Sequence, residues 1–176
     1  MEEKSRIHAA QKDPQEFRYF YDIYFKDVFL FIYRRTDDES LSADITQQVF
    51  LKALQNIGRY EYRGVPFSSW LYRIAGNEIM QHFRDAKKVR VVCIDSTGLQ
   101  EILSDDDETF DIEKREQAFA AIRKLPPPDL ELIEMRYFEK RSFAEIGEIK
   151  NITANNAKVK VHRILDRIKK SFTVEV

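Results

Sequence analysis

Lys158, Lys160, Arg163, Arg167, Lys169 and Lys170 fall within residues 156–170, and Asp166 is the one acid among them. Cations at that density neutralise phosphates; they make and break no bonds. Elsewhere the sequence offers little for catalysis. It has one Cys, and its three His, at 8, 82 and 162, are too far apart to form a ligand motif. There is no paired nucleophile and base, no metal set and no phosphate loop. The chemistry on offer is recognition of a polyanion, without an enzyme reaction and without a cofactor.

The elements around these cations are those of a helix-turn-helix. SFAEIGEIK reads as a short helix with Ser142 as N-cap and Glu145 three residues on, a capping box. Ile146 and Ile149 share a face. Asn151 stands where the turn requires a left-handed backbone, which Asn tolerates better than most residues. Thr153 can cap the next helix, in which Ala157, Val161, Ile164 and Ile168 form one apolar stripe. In this motif the second helix enters the DNA major groove. A solubilised surface helix with cations favouring its dipole is the plainer reading of the same residues.

The net charge of −1 hides an uneven distribution. Residues 1–90 carry net +2, residues 91–113 carry eight acids and no base, and residues 114–176 carry net +5. Two positive segments therefore flank an acidic strip. No apolar run is long enough to span a membrane, and MEEKSR lacks the apolar core of a signal peptide. A cytoplasmic protein is expected.

Taken in order, Asp13-Pro14-Gln15-Glu16 opens the first clear helix, with Asp13 as N-cap and Pro14 at the first position. Nine aromatics follow between 17 and 33, and Phe17, Tyr21, Tyr24, Val28 and Phe31 mark one face. Arg34 to Ser42 reads as a polar break. The next helix, about Ala43 to Ile57, turns Ile45, Val49, Ala53 or Leu54, and Ile57 inward and Asp44, Gln47, Gln48 and Lys52 outward. After a loop containing Gly64 and Pro66, a third helix runs from about Phe67 to Arg84. Phe67, Trp70, Leu71, Ile74, Ile79 and Phe83 supply its apolar surface. Arg73, Asn77, Gln81 and Arg84, with Lys87, Lys88 and Arg90 beyond, supply amides and cations that can hold unstacked bases and their backbone. A plain three-helix bundle with a polar rim fits the same pattern. The acidic strip reads as a linker, with a docked apolar piece at Val91 to Ile94 and Cys93 as a small apolar filler. A helix from Ile112 to about Lys124 stops at Leu125-Pro126-Pro127-Pro128, and the next starts at Pro128 or Asp129.

Four segments in this order resemble the extracytoplasmic-function (ECF) group of bacterial sigma factors in the sigma-70 family: FRYFYDIYFKDVFLFIYRR, ADITQQVFLKALQNIGRY, FSSWLYRIAGNEIMQHFR and LPPPDLELIEMRYFEKRSFAEIGEIKNITANNAKVKVHRILDRIKK. The resemblance implies an all-α protein of two small helical domains. Residues 1–92 would be like region 2, residues 93–111 an acidic linker, and residues 112–176 like the four-helix region 4. Region 2 docks on the clamp coiled coil of core RNA polymerase and opens the −10 element; region 4 docks on the flap and reads the −35 element. The family's D-x-x-Q-E-x-F core-binding motif falls on Asp44, Gln47, Gln48 and Phe50, with Lys52 beside it. Gln48 stands where the family carries Glu, one charge fewer.

On the −10 side the resemblance implies contacts from Tyr60, Arg63 and Phe67 in or beside the loop, Arg73 and Asn77 on the helix, and Arg84, Lys87 and Lys88 on the backbone. On the −35 side it implies Thr153, Asn155, Asn156, Lys158, Val159, Lys160, His162 and Arg163. Asn155 and Asn156 replace the usual Gly and Thr, and Val159 a small polar residue. Asn can pair with adenine and an apolar side chain can meet a thymine methyl, so an altered −35 preference is expected. A monomer that works with polymerase, promoter DNA and an anti-sigma factor follows. The competing reading is a dimeric helix-turn-helix regulator that binds a palindrome without being a polymerase subunit; an interaction adaptor with incidental basic helices is a third.

Overall fold

The computed structural model describes residues 2–86, 96–103 and 112–173, all of whose regular elements are helical. They fall into two compact units, Met1–Val92 and Cys93–Val176.

In the first unit, α1 (Glu2–Lys12) precedes a 3-10 turn (Pro14–Phe17), α2 (Arg18–Thr36), α3 (Glu39–Asn56), a second 3-10 turn (Ile57–Arg59) and α4 (Phe67–Ala86). Helix α1 carries no clear sequence signal: EEKSRIHAAQK is polar and buries only Ile7 and Ala10. Asp13 does cap, but it accepts from the Gln15 N–H at 2.9 Å and starts the 3-10 turn that leads into α2. The expected break at 34–42 shrinks to Asp37 and Asp38. Asp37 takes the left-handed conformation (φ 51°), its N–H bonding Tyr33 O, and Asp38 at once caps α3 by accepting from the Leu41 N–H at 2.9 Å. Two short polar side chains thus stop one helix and start another.

Helices α2, α3 and α4 pack on one another around an aromatic core. The Phe20 and Phe67 rings lie 4.1 Å apart, with Phe17 and Phe50 around them. The inward stripe of α2 differs from the expected one: Phe20 is fully buried, whereas Tyr21 is 40% exposed and Tyr24 half-buried. Ala53, not Leu54, faces inward from α3, together with Phe50.

In the second unit, α5 (Ser96–Leu103), α6 (Ile112–Arg123), α7 (Pro127–Ile133), α8 (Phe143–Lys150) and α9 (Ala154–Thr173) surround an aliphatic core. Pro126 takes the N-cap position and Pro127 the first helical position of α7, where its missing N–H costs nothing. The helix therefore begins before the expected Pro128. It ends in a π-helical turn, Glu134–Phe138, with the Glu139 N–H bonding the Glu134 carbonyl at 2.9 Å. Part of the acidic strip is helix: α5 buries Leu99 and Ile102 and packs on that turn, and a side chain at Gly98 would run into the Phe138 ring. Cys93 and the apolar piece at Val91 to Ile94 lie outside the described residues.

Candidate nucleic-acid interface

The helix-turn-helix is built from local chemistry. Ser142 Oγ accepts from the Glu145 N–H at 3.2 Å, and Glu145 Oε2 accepts from the Ser142 N–H at 2.9 Å, closing the capping box. Asn151 is left-handed (φ 55°, ψ 45°), and the Ile152 N–H returns to Gly147 O at 2.9 Å. The chain folds back so tightly that a Cβ on Gly147 would sit 2.7 Å from Ile152 O. Thr153 Oγ1 then accepts from the Asn156 N–H at 3.1 Å and starts α9. Replacing Asn151 by Ala should cost the second unit about 1 kcal/mol, because Ala has no local hydrogen bond to offset the left-handed backbone. Asn151→Gly should leave the unit at least as stable, and thermal melting of the two variants checks both.

Ala157, Val161, Ile164 and Ile168 are all buried, with Leu165 beside them. The sides of α9 away from that stripe carry Asn155, Asn156, Lys158, Val159, Lys160, His162 and Arg163, all exposed. None of the ion pairs among the described residues engages Lys158, Lys160 or Arg163. The structure therefore divides the basic run. Its N-terminal half keeps its charges open to solvent, while Arg167 reaches back to Asp129 on α7. Thr153 is exposed, but its hydroxyl is used in the cap.

In the first unit Asp44, Gln47 and Gln48 are exposed on α3, with the apolar Leu51 continuing their stripe. Lys52 is exposed too, but its Nζ lies 2.5 Å from Glu78 Oε1 and ties α3 to α4. Along α4, Asn77, Met80 and Arg84 form an exposed line, and Arg73 is half-exposed at its start. Glu61, Tyr62, Arg63 and Gly64 form the exposed tip of the loop, where Gly64 takes a positive φ of 79°. Tyr60 and Phe67, expected at the DNA, are buried. Their rings are 5.2 Å apart, and the Trp70 ring lies tilted against Tyr60 at 4.6 Å. They hold the loop from inside; touching a base would require them to leave the core. Lys87 and Lys88 lie outside the described residues.

Sequence reasoning missed the residues behind the loop. Glu3 and Gln11, both on α1, bond to its two ends. No local signal could have found them, because their partners lie 46 to 64 positions away. Among the described residues no group of three His, Cys, Asp or Glu could hold a metal, and no helix is long and apolar enough to cross a membrane.

Comparison with known proteins decides the family. The model of sigma-70 region 2 matches residues 20–89, and that of sigma-70 region 4 matches residues 115–168. The chain belongs to the sigma-70 family, in its ECF group. The ECF RNA polymerase sigma factor SigW of Bacillus subtilis is 29% identical over 95% of both chains. BldN of Streptomyces coelicolor, also an ECF RNA polymerase sigma factor, is 29% identical over 85% of this chain, which spans only 56% of BldN's own length. Among solved structures, the sigma factor RpoE of Bartonella quintana, in complex with the anti-sigma factor NepR, shares the fold at 17% identity. Its TM-score is 0.55, and the match covers 92% of this chain and 99% of that one. The region 2 match falls within the first unit and leaves α1 outside it, and the region 4 match falls within the second.

Proposed function

We propose that this chain directs bacterial core RNA polymerase to its promoters by holding the −10 and −35 elements on two separate surfaces. The observation that carries the reading is the open half of α9, where Lys158, Lys160 and Arg163 stand on an exposed surface opposite a buried stripe, within the region 4 match. Lys158, Lys160 and Arg163 neutralise phosphates at the −35 element; Asn155, Asn156, Val159 and His162 face base edges in the groove. Thr153 fixes the entry of that helix. In the first unit, Arg63, Arg73 and Asn77 take up unstacked −10 bases, and Arg84, Lys87 and Lys88 the adjoining backbone. Tyr60 and Phe67 support them from the core.

Asp44, Gln47 and Gln48 meet the clamp coiled coil, with Lys52 bracing α3 against α4, and the second unit meets the flap. Linking two weak DNA contacts on one polymerase raises the effective concentration of each for its element. Capture of unstacked bases offsets a few kcal/mol of unstacking and so helps the −10 element to open. The protein acts as a monomer, and an anti-sigma factor that covers these surfaces completes the reading.

The test is a footprint on a promoter fragment with and without core polymerase. Protection of both elements only in the presence of core supports the proposal. Protection of a palindrome by this protein alone would instead make it a dimeric regulator. Restoring the family's charge by Gln48→Glu should tighten core binding about fivefold, because a charged acceptor makes the stronger hydrogen bond. A competition assay against the unaltered chain measures it.

A further inference from the structure

Residues 57–67 join α3 to α4, and α1 grips that connection at both ends. Gln11 Nε2 donates to the Ile57 carbonyl at 3.1 Å and to the Tyr60 carbonyl at 2.8 Å. At the far end, the Phe67 N–H donates to Glu3 Oε2 at 3.1 Å. Phe67 is the first residue of α4, so its N–H is one of the donors a helix leaves unpaired, and a carboxylate there also meets the positive end of the helix dipole. The other Glu3 oxygen accepts from the Tyr24 hydroxyl at 2.6 Å. Burial, and then this bond to Glu3, pushes the Tyr24 phenol above its ordinary range, so it stays protonated and keeps donating. Ile7 and Ala10 seat α1 in the core between the two grips. Between the gripped ends stand Glu61, Tyr62, Arg63 and Gly64, all exposed.

We propose that α1 sets the conformation of the 60–66 loop, and with it the base preference at the −10 element, through Gln11 and Glu3 as positioning residues. This rests on reading that loop as a −10 contact. The Gln11 amide gives both of its hydrogens to loop carbonyls. A carboxylate of the same shape has none to give and would face two oxygens, so Gln11→Glu pushes the near end of the loop away without opening a cavity. Glu3→Ala leaves the Phe67 N–H and the Tyr24 hydroxyl without their acceptor at the far end.

The experiment uses holoenzyme assembled on core polymerase and labelled single-stranded −10 oligonucleotides. The preferred sequence is first selected from a randomised pool and then tested with each single-base substitution. Gln11→Glu and Glu3→Ala should each lower affinity for the preferred oligonucleotide about tenfold and flatten the discrimination among substitutions. Core affinity and affinity for −35 duplex should stay unchanged. A structural role alone would lower the melting temperature and leave the discrimination profile as it was. Gln11→Glu carries the test if Glu3→Ala fails to fold. The clamp is overturned if Arg63→Ala alters the profile and Gln11→Glu does not. If Tyr62→Ala and Arg63→Ala both leave the profile unchanged, the loop does not read the −10 element and the proposal falls with that reading.

Discussion

Phe67→Ala should destabilise the first unit by about 3–5 kcal/mol, most of what a domain of this size has to lose. The Phe67 ring is fully buried, with its centroid 4.1 Å from Phe20, 5.2 Å from Tyr60 and 5.4 Å from Trp70. Removing it leaves a cavity where α2, α4 and the loop meet. Core binding and −10 binding should then fail together, and denaturant unfolding of the variant should show an early transition. Phe67→Leu keeps most of the apolar volume and should cost about 1 kcal/mol. It should retain −10 oligonucleotide binding within about threefold, since a residue that acts through packing needs bulk more than an aromatic face. Loss of that binding in a stably folded Phe67→Leu protein would mean that the ring touches a base after all.

The second large effect is on DNA affinity. A triple variant carrying Lys158→Ala, Lys160→Ala and Arg163→Ala should lose more than about 100-fold in affinity for −35 duplex, and the slope of log affinity against log salt should fall by about 3. Alanine suits an exposed helix, and none of the three enters an ion pair among the described residues, so circular dichroism and melting should barely change. Arg167→Ala is the control: it breaks the pair with Asp129 on α7, a surface contact of small energetic weight, and should leave the salt slope in place. Equal salt slopes for the triple variant and the unaltered protein would remove α9 from the interface.

What could be read from the sequence, and what could not, follows from how far each interaction reaches. Ser142 with Glu145, the turn at Asn151, and Thr153 with Asn156 act across five positions or fewer, so the helix-turn-helix was legible almost residue by residue. The α9 stripe was legible because Ala157, Val161, Ile164 and Ile168 recur at helical spacing among polar and charged residues, giving the period contrast. Segment 17–33 has no such contrast. With nine aromatics in it, only the packing of Phe67 and Phe50 decides that Phe20 turns inward and Tyr21 outward. Helix α1 was hidden for the opposite reason. It buries only two apolar positions, Ile7 and Ala10, and otherwise acts through polar bonds to residues far along the chain.

The candidate site divides in the same way. The exposed positions on α9 and the Asp44, Gln47 and Gln48 face follow from helical spacing. The burial of Tyr60 and Phe67, and the pairing of Lys52 with Glu78 26 positions away, depend on contacts between elements. Helix α5 has only a faint sequence trace, Leu99 and Ile102 three apart, inside a strip whose acids read as a linker.

Run-off transcription measures the central claim most directly. Core RNA polymerase is supplied with promoter fragments from the source genome, with and without this protein. The proposal predicts discrete transcripts from a subset of fragments only when the protein is present, and their loss with the Lys158, Lys160 and Arg163 triple variant. Transcription that starts at the same sites without the protein, or no specific initiation with it, would contradict the account.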